Sequence, residues 1–486
     1  MSTPPTLWTS EDAVAATGGT SRQAWRATGV SIDSRTVAPG DLFVALQGPN
    51  FDGHTFVAKA FAAGAVAALV ARRPDGVDEG APLLFCADTL VALENLGRAA
   101  RARTHAKIIA VTGSVGKTGT KEALICCLAA QAPSYATAGS LNNHWGVPLS
   151  LARLPPECKF GVFELGMNHA GEIGPLSRMV RPDVGLITTV VPAHLEFFTS
   201  IAAIANAKAE LFEGMASGGV AILNRDNDQF ARLAGAAARA GLMGVQSFGE
   251  AVGADARLVG CTCREDGSDV IVEIDGVHFA YTLSLPGRHW VVNSLGVLLA
   301  VRAAGGDLSA AGRTLGVLPA VKGRGVRGRV VAQSGAFTVV DESYNASPAA
   351  MEASFQVTGM IPVGVGGRRI AVLGDMLELG ALSSSLHGAL ANPLVASGFD
   401  LVFCCGPNME SLYAGLPAHV QGAYAVDAAA LTPTVTAAVR GGDVVLVKGS
   451  AGSRMGGLVA ALSAMDVSRP AKSGEFQPVA AAAAVS

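Results

Sequence analysis

The segment Ala110-Val111-Thr112-Gly113-Ser114-Val115-Gly116-Lys117-Thr118 starts as an apolar run and ends in glycines, a lysine and a threonine. Ile108 to Thr112 has the makeup of a buried strand, and Lys121 to Ala130 carries a helical pattern, so the glycines fall at a strand-to-helix turn. That context suits a phosphate-binding loop. Backbone N–H groups of Gly113, Ser114, Val115 and Gly116 would curl around phosphate oxygens, and the helix N-terminus would add partial positive charge. Lys117 would offset charge on a β/γ-phosphate, and the Thr118 hydroxyl suits Mg2+. Val111 stands where the longer eight-residue motif wants glycine, so this is the short G-x-x-G-K-T form. A plain glycine-rich turn with a surface lysine is the alternative; the strand before and the helix after argue against it.

Short apolar runs and helical patterns alternate from Lys107 to about Lys322, with strand-like pieces at Phe160 to Glu164, Val184 to Val191 and Val220 to Asn224. Such alternation marks βαβ units on a largely parallel sheet, whose ligand sites gather beyond the carboxyl ends of the strands. A more antiparallel patch, Ala256 to Leu285, and a helix through Asn293 to Ala304 follow. Upstream, Leu42 to Leu46, the helical run Thr55 to Gly64 and Ala65 to Val70 form a smaller α/β unit, which the arginine-rich helix Leu90 to Thr104 leaves. The Gly- and Arg-rich stretch Lys322 to Arg329 precedes a third block, with strands at Thr338 to Asp341, Ile370 to Leu373, Leu401 to Cys404 and Val444 to Val447. The expected fold is therefore α/β in three domains: an N-terminal unit at 1–106, a central P-loop parallel-sheet domain at 107–325, and a Rossmann-like C-terminal domain at 326–467. Residues 468–486, rich in Pro, Ser and Ala, read as a loose tail.

Composition narrows the function. Charged residues make up 15% of the 486, against a usual share of about 25%, and apolar residues 50%, which excludes disorder for the bulk. A net charge of −3 carries no basic excess, disfavouring a nucleic acid partner while permitting a local phosphate site. No apolar stretch reaches the ~18 residues of a membrane span, and residues 1–8 lack the form of a signal peptide, so a soluble, cytosolic chain is expected. The eight cysteines form no C-x-x-C pair and read as reduced; Cys261 and Cys263 would share one side of a strand as buried filler.

Glu164 ends one strand and His194 follows another across Pro192, so both belong at the sheet edge that carries Thr118. Singly, a core histidine and a helix N-cap are the plainer readings; the shared edge turns both toward a metal role. Lys208 lies on an apolar helix face within Ile201 to Phe212, where a snorkelling surface lysine is as good a reading as a functional one. Asn224-Arg225-Asp226-Asn227 fails the N-K-x-D pattern of a GTPase, which favours ATP, and the H-R-D and D-F-G marks of a protein kinase are missing.

The loop Thr112 to Thr118, Gly139-Ser140-Leu141-Asn142-Asn143-His144-Trp145-Gly146-Val147-Pro148, Phe163-Glu164-Leu165-Gly166 and Ala193-His194-Leu195-Glu196 together resemble the Mur ligases of peptidoglycan synthesis. At the front, Asp33-Ser34-Arg35, Pro39-Gly40-Asp41-Leu42-Phe43 and Asp52-Gly53-His54 are similar to the UDP-sugar-binding domain of that family's last two enzymes. Asp341-Glu342-Ser343-Tyr344-Asn345-Ala346-Ser347-Pro348 and Gly374-Asp375-Met376-Leu377-Glu378-Leu379-Gly380 resemble the branch that adds a D-alanyl-D-alanine dipeptide.

The resemblance implies an ATP-driven peptide bond between UDP-N-acetylmuramoyl-tripeptide and D-Ala-D-Ala through an acyl phosphate, in a monomeric cytoplasmic enzyme. It implies that Thr118 and Glu164 hold a first Mg2+ and that His194 serves a second. Lys208 would be carbamylated and join that second metal. Asn293, Arg324, Asp341 and Asn345 would meet the nucleotide, with Arg327 competing with Arg324 for the role. Ser34, Arg35, Asn142 and Asn143 would meet the UDP-muramoyl substrate, and Lys448 would line the third domain's face of the cleft. Folylpolyglutamate synthase, which lacks such a front domain, and a nucleotide-dependent switch performing no ligation are the competing readings.

Overall fold

The computed structural model describes residues 5–193 and 195–468, so the tail read after Ser468 lies outside the described residues. Three sheets organise them.

The first has the strand order Thr20–Ser21, Leu83–Phe85, Ala67–Val70, Asp41–Val44, Gly29–Ser31, parallel except at the short first strand. Its residues Leu42 to Leu46 and Ala67 to Val70 are buried, as continuous apolar runs in a parallel sheet require. The helix Thr89–Arg103, capped by Asp88 at the amides of Leu90 and Val91, leads into the second unit and packs on the helix Gly146–Ala152. Trp8 donates its indole N–H to Ala152 O at 2.8 Å, which ties the two units, and the Arg103 guanidinium lies 4.1 Å from the Trp8 ring, a cation–π contact of about 0.5–2 kcal/mol within the first unit.

The second sheet has nine strands in the order Ser134–Ala136, Phe160–Glu164, Lys107–Thr112, Val184–Ile187, Val220–Asn224, Gly244–Gly249, Ala256–Arg264, Gly267–Ile274, Val277–Leu283. The first seven are parallel and the last two antiparallel. Phe160–Glu164 and Val184–Ile187 flank Lys107–Thr112 on opposite sides, which makes the end of Lys107–Thr112 the switch point where an open α/β sheet binds its ligand. Each face of this sheet carries its own apolar cluster, one built on the helices Lys117–Ala129 and Arg288–Ala303, the other on Ile173–Val180 and Ile201–Ala209.

The third sheet has the order Val326–Ala332, Gly335–Glu342, Val444–Lys448, Arg369–Gly374, Leu401–Cys405, Gln421–Ala425. A hairpin opens it and the other pairs are parallel.

Three elements differ from the sequence reading. The helix expected from Lys121 begins at Lys117, because Gly116 takes the left-handed conformation (φ 84°) and starts it four residues earlier. The strand expected to reach Val191 stops at Ile187; Thr188 instead donates to Val115 O at 2.6 Å, and Thr189 O accepts from the Ser114 amide at 2.8 Å. The helix expected to reach Phe212 tightens into a 3-10 turn at Glu210–Gly214, where the Glu210 carboxylate accepts from the amides of Gly171, Ile173 and Gly174. Cys261 and Cys263 are half-buried rather than core filler, and Arg288 donates to the Cys261 sulfur at 2.9 Å. No helix among the described residues is long and apolar enough to cross a membrane.

Candidate active site

The loop after Lys107–Thr112 is built on two glycines. A Cβ on Gly113 would stand 1.9 Å from Thr188 Oγ1, and one on Gly116 would stand 2.8 Å from Asn293 Nδ2, so Gly113 must lie against its neighbour and Asn293 reaches the loop's last turn. Ser114 is pinned from both sides: its hydroxyl donates to Val191 O at 2.9 Å and accepts from the Val191 amide at 3.1 Å. Lys117 folds back over the loop, its amine donating to Gly113 O at 2.8 Å and Ser114 O at 3.3 Å. Burial holds that amine below the ordinary lysine value; the Glu164 carboxylate opposes the shift and Arg324 adds to it.

Glu164 pairs in register with Val111, two residues before the loop, which puts its carboxylate at the same sheet edge. Its Oε1 accepts from Asn142 Nδ2 at 2.7 Å, while Oε2 is buried and has no hydrogen-bond partner among the described residues. An orphaned carboxylate oxygen is costly unless a cation satisfies it, so the site fits Mg2+. Thr118 is buried and accepts from Arg324 Nη2 at 3.1 Å. His194, expected as a second ligand, lies outside the described residues, and no cluster of three or more His, Cys, Asp or Glu fit for a metal occurs among those described.

Lys208 is 1% exposed, and its side-chain amine makes no hydrogen bond or ion pair among the described residues. Burial, and then the neighbouring Lys117, push its amine well below the ordinary lysine range. It is not a snorkelling surface lysine; an amine so placed is driven toward its neutral, nucleophilic form.

Arg324 and Arg327 separate cleanly. Arg324 reaches Thr118, whereas Arg327 donates to Glu265 O on the antiparallel extension. Asp341 is buried and accepts from the Ser343 amide and hydroxyl at 3.0 and 2.6 Å, shaping the turn that exposes Asn345. Three residues expected at substrate have partners within the protein: Lys448, Asn143 and Asn142. Lys448 is buried, with its amine 3.1 Å from Glu342 Oε2 and 3.0 Å from Asn345 O, so it fixes that turn. Asn143 Oδ1 accepts from the amides of Trp145 and Gly146 and so holds the start of the helix Gly146–Ala152. Asn142, likewise, gives its amide to Glu164.

In the first unit Ser34 is partly exposed, and Arg35 is exposed but bidentate on Asp33, with contacts of 2.6–3.1 Å that hold the Asp33 carboxyl down at about 2. Asp52 orders His54, which accepts from the Ala71 amide through Nε2 at 2.9 Å and therefore carries its proton on Nδ1, 2.6 Å from Asp52 Oδ1. Sequence reasoning missed Lys121, fully buried and bonded to Thr137 O at 2.7 Å and Gly139 O at 3.0 Å, where it anchors the segment leading to Asn142. Its place on a helix gave no signal.

A phosphate loop at a sheet's switch point, a buried carboxylate beside it and an arginine reaching in from the link to a third α/β unit define a nucleotide-using enzyme of several domains. The chain belongs to the Mur ligase family: it matches the Mur ligase middle domain over residues 111–301, the Mur ligase glutamate ligase domain over 326–451 and the Mur ligase family catalytic domain over 26–108. It is 35% identical to the UDP-N-acetylmuramoyl-tripeptide–D-alanyl-D-alanine ligase of Escherichia coli (strain K12), across 89% of this chain and 93% of that one. Among solved structures it resembles MurF from Acinetobacter baumannii (TM-score 0.80, 31% identity, 94% and 98% covered). It also resembles the MurF ligase from Thermotoga maritima in complex with ADP (TM-score 0.72, 27% identity, 90% and 97% covered).

Proposed function

We propose that this protein is an ATP-dependent ligase that joins D-alanyl-D-alanine to UDP-N-acetylmuramoyl-tripeptide, completing the peptide of the peptidoglycan precursor. The observation that carries this reading is the near full-length similarity to ligases of that name, together with a buried, charge-poised phosphate loop. The three sheets support domain boundaries near 106 and 325.

The tripeptide's terminal carboxylate attacks the γ-phosphate of ATP, giving an acyl phosphate and ADP; the dipeptide's amine then attacks the acyl carbon and expels phosphate. Two anions must meet in the first step, so charge control dominates. The loop amides from Gly113 to Thr118, apart from that of Ser114, which donates to Thr189 O, and the Lys117 amine face the phosphates. Thr118 and Glu164 supply the oxygens for Mg2+, which when bound neutralises charge on the transferring group. His194 and Lys208 serve a second such ion, Lys208 after its neutral amine adds CO2 and loses a proton to become a carbamate. Asn293 beside Gly116, Arg324 beside Thr118, and the turn Asp341 to Asn345 hold the nucleotide, with the UDP moiety at Ser34 and Arg35.

The dipeptide belongs to the third unit, which carries a cavity of about 680 Å3 lined by Asp375, Leu377, Gly406, Arg454 and Leu458 among others. Leu377 lines it, and the next residue, Glu378, accepts from the Glu196 amide at 3.2 Å, so the cavity borders the junction with the second unit. Closure there excludes water from the acyl phosphate. Mass spectrometry of the product from a panel of UDP-muramoyl-tripeptides tests the reading: a mass gain of one D-Ala-D-Ala residue pair is expected, and tripeptide recovered unchanged with ATP and dipeptide present contradicts it.

A further inference from the structure

The second and third units meet at Tyr344, whose hydroxyl donates to Ser140 Oγ at 2.7 Å across 204 positions of chain. Its ring lies 4.6 Å from the Arg324 guanidinium, and Arg324 in turn donates to Thr118. Beyond Ser140 the chain turns tightly, with the Asn142 amide donating to Ser140 O at 2.8 Å, and that turn delivers Asn142 Nδ2 to Glu164 Oε1. The contacts form a continuous chain from Thr118 through Arg324, Tyr344, Ser140 and Asn142 to Glu164. Both oxygens suited to the cation are members, and Tyr344 is the member drawn from the third unit. The Tyr344 backbone is seated by the link: its amide donates to Gly323 O at 3.2 Å, and a Cβ on Gly323 (φ 72°) would stand 2.9 Å from Tyr344 Cβ. Only glycine permits that approach.

We propose that Tyr344 is a positioning residue for the ligation, coupling the docking of the third unit to the alignment of Thr118 and Glu164 through its bond to Ser140 and its stack on Arg324. The inference rests on the ligase reading. Tyr344 is 43% exposed, so packing does not hold its ring; two directed contacts do. The link moves with the third unit, since the Gly325 amide donates to Asp341 O at 2.9 Å and the Tyr344 amide to Gly323 O, so when that unit moves away the Tyr344–Ser140 and Arg324–Thr118 contacts break together. Thr118 loses Arg324, and the turn that carries Asn142 loses its outer anchor, so Glu164 Oε1 is no longer held fixed. Phosphoryl transfer is thereby confined to the closed arrangement, in which water is excluded.

Tyr344→Phe keeps the ring and removes the hydroxyl, and Ser140→Ala removes the other half of the bond. In phosphate release at saturating substrates, each variant is expected to lower kcat about fivefold, the scale of one hydrogen bond, with KM for ATP within about twofold of the parent. The double variant is expected to be no slower than either single one. Tyr344→Leu, which also removes the ring, is expected to raise KM for ATP. Hydrogen exchange of the ligand-free protein supplies a second reading: the peptide spanning 137–145 exchanges faster in both single variants at an unchanged thermal midpoint. Kinetic effects that multiply in the double variant, or exchange equal to the parent's, would overturn the proposal. Wild-type protein lacking dipeptide-dependent phosphate release overturns the ligase reading instead, and the exchange comparison still decides whether the Tyr344–Ser140 bond anchors the turn.

Discussion

Asn142 holds one oxygen of Glu164 at 2.7 Å and leaves the other buried without a partner among the described residues. That asymmetry is what a cation site needs: one oxygen fixed for geometry, the other open for a ligand bond. Glu164→Gln replaces that open oxygen with an amide of nearly the same shape, and phosphate release is expected to fall at least about a hundredfold. Asn142→Ala, which only frees the carboxylate to rotate, is expected to cost about tenfold. Steady-state rates over a Mg2+ titration check both, and a Gln variant of near-parental activity would remove Glu164 from the site.

Lys117 sits over the loop carbonyls with its amine already desolvated, so a phosphate that arrives there exchanges backbone partners for a stronger charge contact. Lys117→Ala is expected to slow single-turnover phosphate release by roughly a hundredfold or more. A near wild-type single-turnover rate would contradict the assignment.

The buried amine of Lys208, which has no partner among the described residues, carries the carbamate proposal. Lys208→Ala is expected to lose activity and to regain part of it with added formate or acetate, which supply the missing carboxylate. In the parent protein, a 13C carbamate signal should appear on labelling with 13CO2. If neither the rescue nor the signal is found, Lys208 has another role.

The α/β class and the strands Phe160–Glu164 and Val220–Asn224 were legible because each is a short apolar run bounded by turn residues, and periodicity reports such runs well. The strand end at Ile187 was not legible, since apolar character continues through Val191 and only the loop's demand on Thr188 and Thr189 breaks the pairing. The helix start at Lys117 was hidden for a related reason: Thr118, Gly119 and Thr120 are poor helix formers, and tertiary constraint at Gly116 overrides them. The candidate phosphate loop was marked by its glycine and lysine spacing together with the strand before it and the helix after it. The partners of Lys448, Asn143 and Arg324 could not be read, because they depend on which distant groups the fold brings near. Glycines crowd the link around Arg324 and Arg327, and spacing there ranks neither arginine.

Phosphate release by the purified protein with ATP, measured with and without each cosubstrate, bears most directly on the whole account. Release that requires UDP-N-acetylmuramoyl-tripeptide and D-Ala-D-Ala together is the predicted result. Release indifferent to the dipeptide would mean that the loop serves a nucleotide switch and that no ligation occurs here.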